Sequence, residues 1–176
     1  MHAFLDYTQF VLSRIYTLKG FFSSIYSVLL LSFSSVFGIG YFPKAPGTAA
    51  SVAALLFVWF FKCSFGQIVM ATLLLTLAGI YLTTVTEKLL KKTDPSLVVI
   101  DEWVGQWITL LPLVYLERYD FFLLILGLVF FRFFDIKKPL GIYQLQELPG
   151  GWGIMADDVL AGLYGAILLY LITFIF

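Results

Sequence analysis

The 176-residue sequence contains one cysteine, Cys63, and one histidine, His2. A lone cysteine excludes an intrachain disulfide. A lone histidine at the second position excludes Ser-His-Asp and Cys-His catalysis and His-rich zinc sites. Charge is scarce as well. Asp, Glu, Lys and Arg form 12% of the chain, where an ordinary soluble domain has about 25%. The 11 basic and 11 acidic residues cancel, so the basic excess of a nucleic-acid binder is missing. Any chemistry must therefore run on carboxylates, lysines, arginines, hydroxyls or a metal.

Apolar residues take the place of the missing charge. They make up 61% of the chain, and the mean hydropathy is +0.96. So few charges cannot cover a water-facing surface, and the composition is that of an integral membrane protein. The length fits one domain, 1–176. Residues 1–20 scatter Asp6, Arg14 and Lys19 among Phe4, Leu5, Phe10, Val11, Leu12 and Ile15. That pattern predicts an interfacial amphipathic helix rather than a cleavable signal.

Apolar segments fall at 22–39, 51–61, 66–85, 103–116, 121–134 and 159–176. The expected fold is all-α, a polytopic membrane helical bundle whose N-terminal segment is interfacial or half-embedded. The serines of 22–39 and its glycine-rich exit favour a half-embedded segment. If 51–61 with 66–85, and 103–116 with 121–134, are up-and-down pairs, three long polar loops share one side. These are Gly38–Thr48, Glu87–Glu102 and Arg132–Asp158. They hold Lys44, Lys88, Lys91, Lys92, Lys137 and Lys138, with Arg132 at the border, whereas the other side holds only Lys62 and Arg118. The positive-inside rule places the loops in the cytoplasm.

Asp101, Glu102, Asp135, Asp157 and Asp158 all lie at the ends of apolar segments. A carboxylate at membrane depth costs at least ~2.5 kcal/mol, and the adjacent pairs add like-charge repulsion. Helix capping would account for one acid at a helix start, but not for two, nor for Asp135 at a helix end where the dipole opposes an anion. A divalent cation would relieve the repulsion. The ligands are all oxygens, so a hard ion is expected: Mg²⁺, with Mn²⁺ as a substitute.

Basic residues interleave with these acids. Arg132 precedes Asp135 by three positions and can share its helix face. Arg132 suits bidentate contact with phosphate, and Lys137, Lys138 and Lys44 suit point-charge contact. A structural Arg132–Asp135 pair and snorkelling lysines are the plainer readings. Gly150, Gly151 and Gly153 precede the last acidic pair, where glycines let backbone N–H groups approach a phosphate. Ala161, Gly162 and Gly165 mark a helix-packing face.

The motifs FGIGYFPKAPGTAAS, IDEWVGQWITLLP, FRFFDIKKP and GGWGIMADDVLAG, taken in order, resemble the phosphatidylglycerophosphatase A family over about residues 33–165. The resemblance implies a Mg²⁺-dependent phosphatase of the bacterial inner membrane, facing the cytoplasm, that converts phosphatidylglycerophosphate to phosphatidylglycerol and phosphate. It carries the family's acidic pairs onto Asp101–Glu102 and Asp157–Asp158, its arginine and aspartate onto Arg132 and Asp135, and its lysine-proline onto Lys138 and Pro139. Ala50, Leu140 and Gly141 depart from the pattern, and none of them is a proposed ligand. Two other readings use the same acids, a cation carrier and a non-catalytic membrane scaffold. A carrier calls for acids deep within helices and away from basic residues, and a scaffold leaves the acidic pairs unexplained.

Overall fold

The computed structural model describes residues 23–175, and all regular structure there is helical. The expected interfacial helix at 1–20 lies outside the described residues. Helix α1 covers Ser23–Ser34 within them. The others are α2 (Pro46–Phe61), α3 (Phe65–Leu90), α4 (Ile100–Tyr115), α5 (Phe121–Lys137), the one-turn α6 (Ile142–Gln146) and α7 (Gly151–Ile172). A 3₁₀ turn, Ile39–Tyr41, precedes α2.

Local chemistry sets the helix boundaries. Pro46 begins α2, where its missing N–H is harmless. Ser64 and Gln67 form a capping box at the start of α3. Asp120 caps α5 by accepting from the Phe122 N–H at 3.0 Å. Residues 62–64 and 116–120 are tight connections that reverse the chain, as expected, between α2 and α3 and between α4 and α5; α5 packs on α4, whereas α2 packs mainly on α4 rather than on α3.

Helices α3 and α7 are long and apolar enough to cross a membrane. Outward-facing Phe60, Leu77, Tyr81, Ile136, Ile167 and Phe174 are exposed. An apolar surface of this kind is stable against lipid and not against water. The bundle core gathers Leu55, Val58, Leu110, Leu113, Leu123, Leu124 and Leu169.

Helices α4 and α7 pack most extensively. A Cβ on Gly162 would sit 2.5 Å from the Gly105 carbonyl oxygen, and one on Gly165 would sit 2.9 Å from Thr109 Oγ1. Thr109 Oγ1 donates to the carbonyls of Gly105 (3.0 Å) and Gly162 (3.2 Å). Small residues thus let the two backbones touch, as the Ala161–Gly162–Gly165 face predicts. This contact brings the N-terminal halves of α4 and α7 side by side, and the acids sit there.

The helices run longer than the apolar segments. Helix α4 starts at Ile100 and α7 at Gly151, so Asp101 and Glu102 lie in the first turn of α4, and Asp157 and Asp158 lie two turns into α7. Asp135 falls in the last turn of α5. An apolar-segment reading stops at the first charge, but the backbone's need for internal hydrogen bonds carries the helix past it. Capping therefore cannot explain Asp157 or Asp158.

Candidate active site

One end of the bundle is a polar cavity of about 340 Å³. Its lining includes Pro46 and Gly47 of α2, Glu87 of α3, Asp101 and Glu102 of α4, Arg132 and Asp135 of α5, Lys138, Gly150, and Asp157 and Asp158 of α7. Among the described residues, seven acidic side chains face two basic ones across it, Asp94 being the seventh acid. The three long loops meet at this end. Lys62, Glu117 and Tyr119 line a separate depression at the opposite end, where Arg118 Nη1 donates to the Thr173 carbonyl at 3.1 Å.

The acids divide into two groups. One oxygen each from Asp101, Glu102 and Asp158 lies within 4.8 Å of the others. Asp101 is 7% exposed and Asp158 3%. Asp101 Oδ1 and Glu102 Oε2 are buried without a hydrogen-bond partner. Buried carboxylate oxygens left unpaired cost several kcal/mol. A donor set that is all oxygen, compact and short of hydrogen-bond partners fits a hard divalent cation.

The second group is engaged by cations. Arg132 Nη1 lies 2.5 Å from Asp135 Oδ2 and 3.9 Å from Glu102 Oε1. Lys138 Nζ donates to Asp157 Oδ2 at 2.5 Å, and Asp157 Oδ1 accepts from the Asp158 N–H at 2.9 Å. Lys138 caps α5 in a left-handed conformation (φ 45°), which turns its side chain back toward α7. Burial works against its charge, but the hydrogen bond to Asp157 and the charges of Asp157, Asp158 and Asp135 outweigh it and raise the ammonium pKa above its ordinary 10.5.

Close packing holds the geometry. A Cβ at Gly47 would collide with Glu102 Oε1 and crowd Arg132 Nη1, so α2 presses directly on the α4–α5 pair. At Gly105 it would collide with Phe131 and approach the Asp158 carbonyl. On the other side, Glu87 Oε1 accepts from the Asp94 N–H at 2.9 Å and fastens the loop after α3.

Asp101, Glu102, Asp135, Asp157, Asp158, Arg132, Lys138 and Gly150 thus meet in one cavity. Lys137 and Lys44 do not line it, and both are exposed. Helix geometry turns Lys137 outward while the next residue turns in, and Lys44 sits over a groove on the outer side of α2. Gly151 and Gly153 are buried rather than open to the cavity. Gly151 packs on Thr83, Thr84 and the Ile80 carbonyl, with its N–H bonded to Thr84 Oγ1 at 2.8 Å, and Gly153 packs on the Leu148 and Gln146 carbonyls. Their role in this fold is close backbone approach.

Nothing in the sequence marks Glu87, Asp94 or Gln106 as part of a site, and Gly47 reads there as a turn residue ahead of a helix. Glu87 and Asp94 lie in the second loop, where no apolar helix end marks them. Gln106 is fully buried with both amide atoms unpartnered, one turn along α4 from Glu102, a position that only packing reveals.

The phosphatidylglycerophosphatase A family model matches residues 32–173. The chain belongs to this family. Such a protein is a membrane phosphatase, and the cavity is where its chemistry has to be sought. Two curated relatives are named phosphatidylglycerophosphatase A. The one from Escherichia coli K12 is 36% identical over 77% of this chain and 78% of its own length, and the one from Haemophilus influenzae is 36% identical over 78% and 85%. A Bacteroides thetaiotaomicron protein provisionally named a phosphatidylinositol-3-phosphatase is 41% identical over 76% of this chain and 86% of its own. No solved structure matches the chain.

Proposed function

We propose that this phosphatase hydrolyses phosphatidylglycerophosphate to phosphatidylglycerol and inorganic phosphate. It does so at the cytoplasmic face of the bacterial inner membrane, as a multi-pass protein dependent on Mg²⁺, with Mn²⁺ as a substitute. The observation that carries this reading is the oxygen triad of Asp101, Glu102 and Asp158, within 4.8 Å and beside Arg132 and Lys138.

Asp101, Glu102 and Asp158 would hold the ion. Bound there, Mg²⁺ supplies Lewis-acid stabilisation to a phosphoryl group. Arg132 and Lys138 face the same space and neutralise charge on the non-bridging oxygens as the ester bond breaks. Asp135 fixes the guanidinium and Asp157 fixes the ammonium, so neither cation has to reorganise during the reaction. Water attacks phosphorus, the P–O ester bond breaks, and the head-group oxygen leaves with a proton. Burial of the triad keeps bulk water from weakening these interactions.

The basic loops gathered at the cavity's end support a cytoplasmic orientation. The five site acids, gathered at one end of the bundle beside Arg132 and Lys138, favour hydrolysis over cation transport. The Bacteroides relative's name supports a second substrate, a phosphoinositide, which shares a phosphomonoester on a glycerophospholipid head group. The test is phosphate release from phosphatidylglycerophosphate and from phosphatidylinositol 3-phosphate, with Mg²⁺ and with chelator. Faster release from the first, lost with chelator, is expected. Preference for the inositide would replace the substrate, and chelator-resistant release would remove the metal.

A further inference from the structure

A lipid substrate must keep its acyl chains in the membrane while its phosphate sits in the cavity. The outer side of α2 carries a groove of about 390 Å³ lined by Ala45, Ala49, Val52, Ala53 and Leu56, with Lys44 at its head. Ala45 lines this groove and the catalytic cavity alike. These residues recur every three or four positions, so they form one stripe on α2. The opposite stripe, Gly47, Ala50, Ala54 and Val58, is buried in the bundle. The groove therefore faces lipid. From Ala45 to Leu56 it runs roughly 16 Å at ~1.5 Å per residue, about half of a ~30 Å hydrocarbon core and so the depth of one leaflet.

Ala45 holds a left-handed conformation (φ 52°) at the start of α2, which is unfavourable for a residue with a Cβ. The turn sets its small side chain as a low sill between the two spaces. Among the described residues, Lys44 is the one charged residue that lines the groove. A phosphodiester is the complementary charge, and it is the group that joins the acyl chains to the head group.

We propose that this groove seats one acyl chain of the substrate glycerophospholipid, with its phosphodiester against Lys44 and its head group passing over Ala45 to the cavity. The inference rests on the lipid phosphatase reading. Lipid tails solvate an acyl chain as well as a protein groove does. The groove therefore contributes orientation of the head group rather than apolar burial.

The test compares dioleoyl phosphatidylglycerophosphate in detergent micelles with its water-soluble dibutanoyl analogue. Ala49→Phe and Ala53→Phe fill the groove, and their ratio of long-chain to short-chain kcat/KM is expected to fall about tenfold. Leu163→Trp, in the apolar groove between α3 and α7, is expected to keep the wild-type ratio. Lys44→Gln is expected to raise KM for both substrates, and Lys44→Arg to restore it. To separate blockage from misfolding, Val52→Cys in a Cys63→Ala background is purified active and then labelled with a bulky maleimide. The ratio is expected to fall on labelling. An unchanged ratio in the filled and labelled proteins overturns the groove. No phosphate release by the wild type from either substrate overturns the phosphatase reading instead.

Discussion

Lys138 Nζ donates to Asp157 Oδ2 at 2.5 Å, tying the end of α5 to the second turn of α7. Its neighbour Lys137 points away and is exposed. Lys138→Met strands a carboxylate that is 95% buried at its side chain, and is expected to lower stability by about 2 kcal/mol. It also removes the cation proposed to face the phosphate, so kcat is expected to fall about 100-fold. Lys137→Met is expected to stay within about threefold of wild type. Phosphate release and thermal unfolding in detergent measure both.

The Lys138 ammonium has its pKa raised above 10.5 in the folded protein. A raised value means its stabilisation is present in full below the unfolded value and is lost as pH rises through the folded value. The difference in Tm between wild type and Lys138→Gln is therefore expected to stay level up to about pH 10 and to shrink only beyond it. A gap that closes between pH 7 and 9 would contradict the ion pair.

Asp101 and Asp158 repel each other in the ion-free protein. Asp101→Asn and Asp158→Asn are expected to hold or raise Tm without Mg²⁺, while phosphate release drops at least about 100-fold. Saturating Mg²⁺ is expected to raise the wild-type Tm, by linkage to about 2.7 kcal/mol at a hundred times Kd, and to leave both variants unmoved. A Mg²⁺ shift retained in both would remove the triad as the binding site.

Gly162 and Gly47 separate packing from chemistry. At Gly162 a methyl group meets the Gly105 backbone at 2.5 Å, so Gly162→Ala is expected to destabilise by about 1–3 kcal/mol. At Gly47 it meets the ends of the Glu102 and Arg132 side chains, which can move. Gly47→Ala is expected to keep Tm within a degree or two and lose about tenfold in kcat. Chemical or thermal unfolding paired with initial rates distinguishes them.

The membrane class, the helical fold, the chain reversals between α2 and α3 and between α4 and α5, and the identity of the acids are all legible in the order of residues alone. These follow from composition and from the spacing of charges between apolar runs, which depend on no long-range contact. Which polar groups meet depends on how the helices pack. Asp101, Glu102 and Asp158 become one triad because Gly105, Gly162 and Gly165 let α4 and α7 touch. Lys138 enters the cavity and Lys137 does not, because the backbone reverses its hand at one residue. Gly151 and Gly153 turn out to serve packing, since a glycine's missing side chain admits a backbone or a ligand equally well until the neighbour is known.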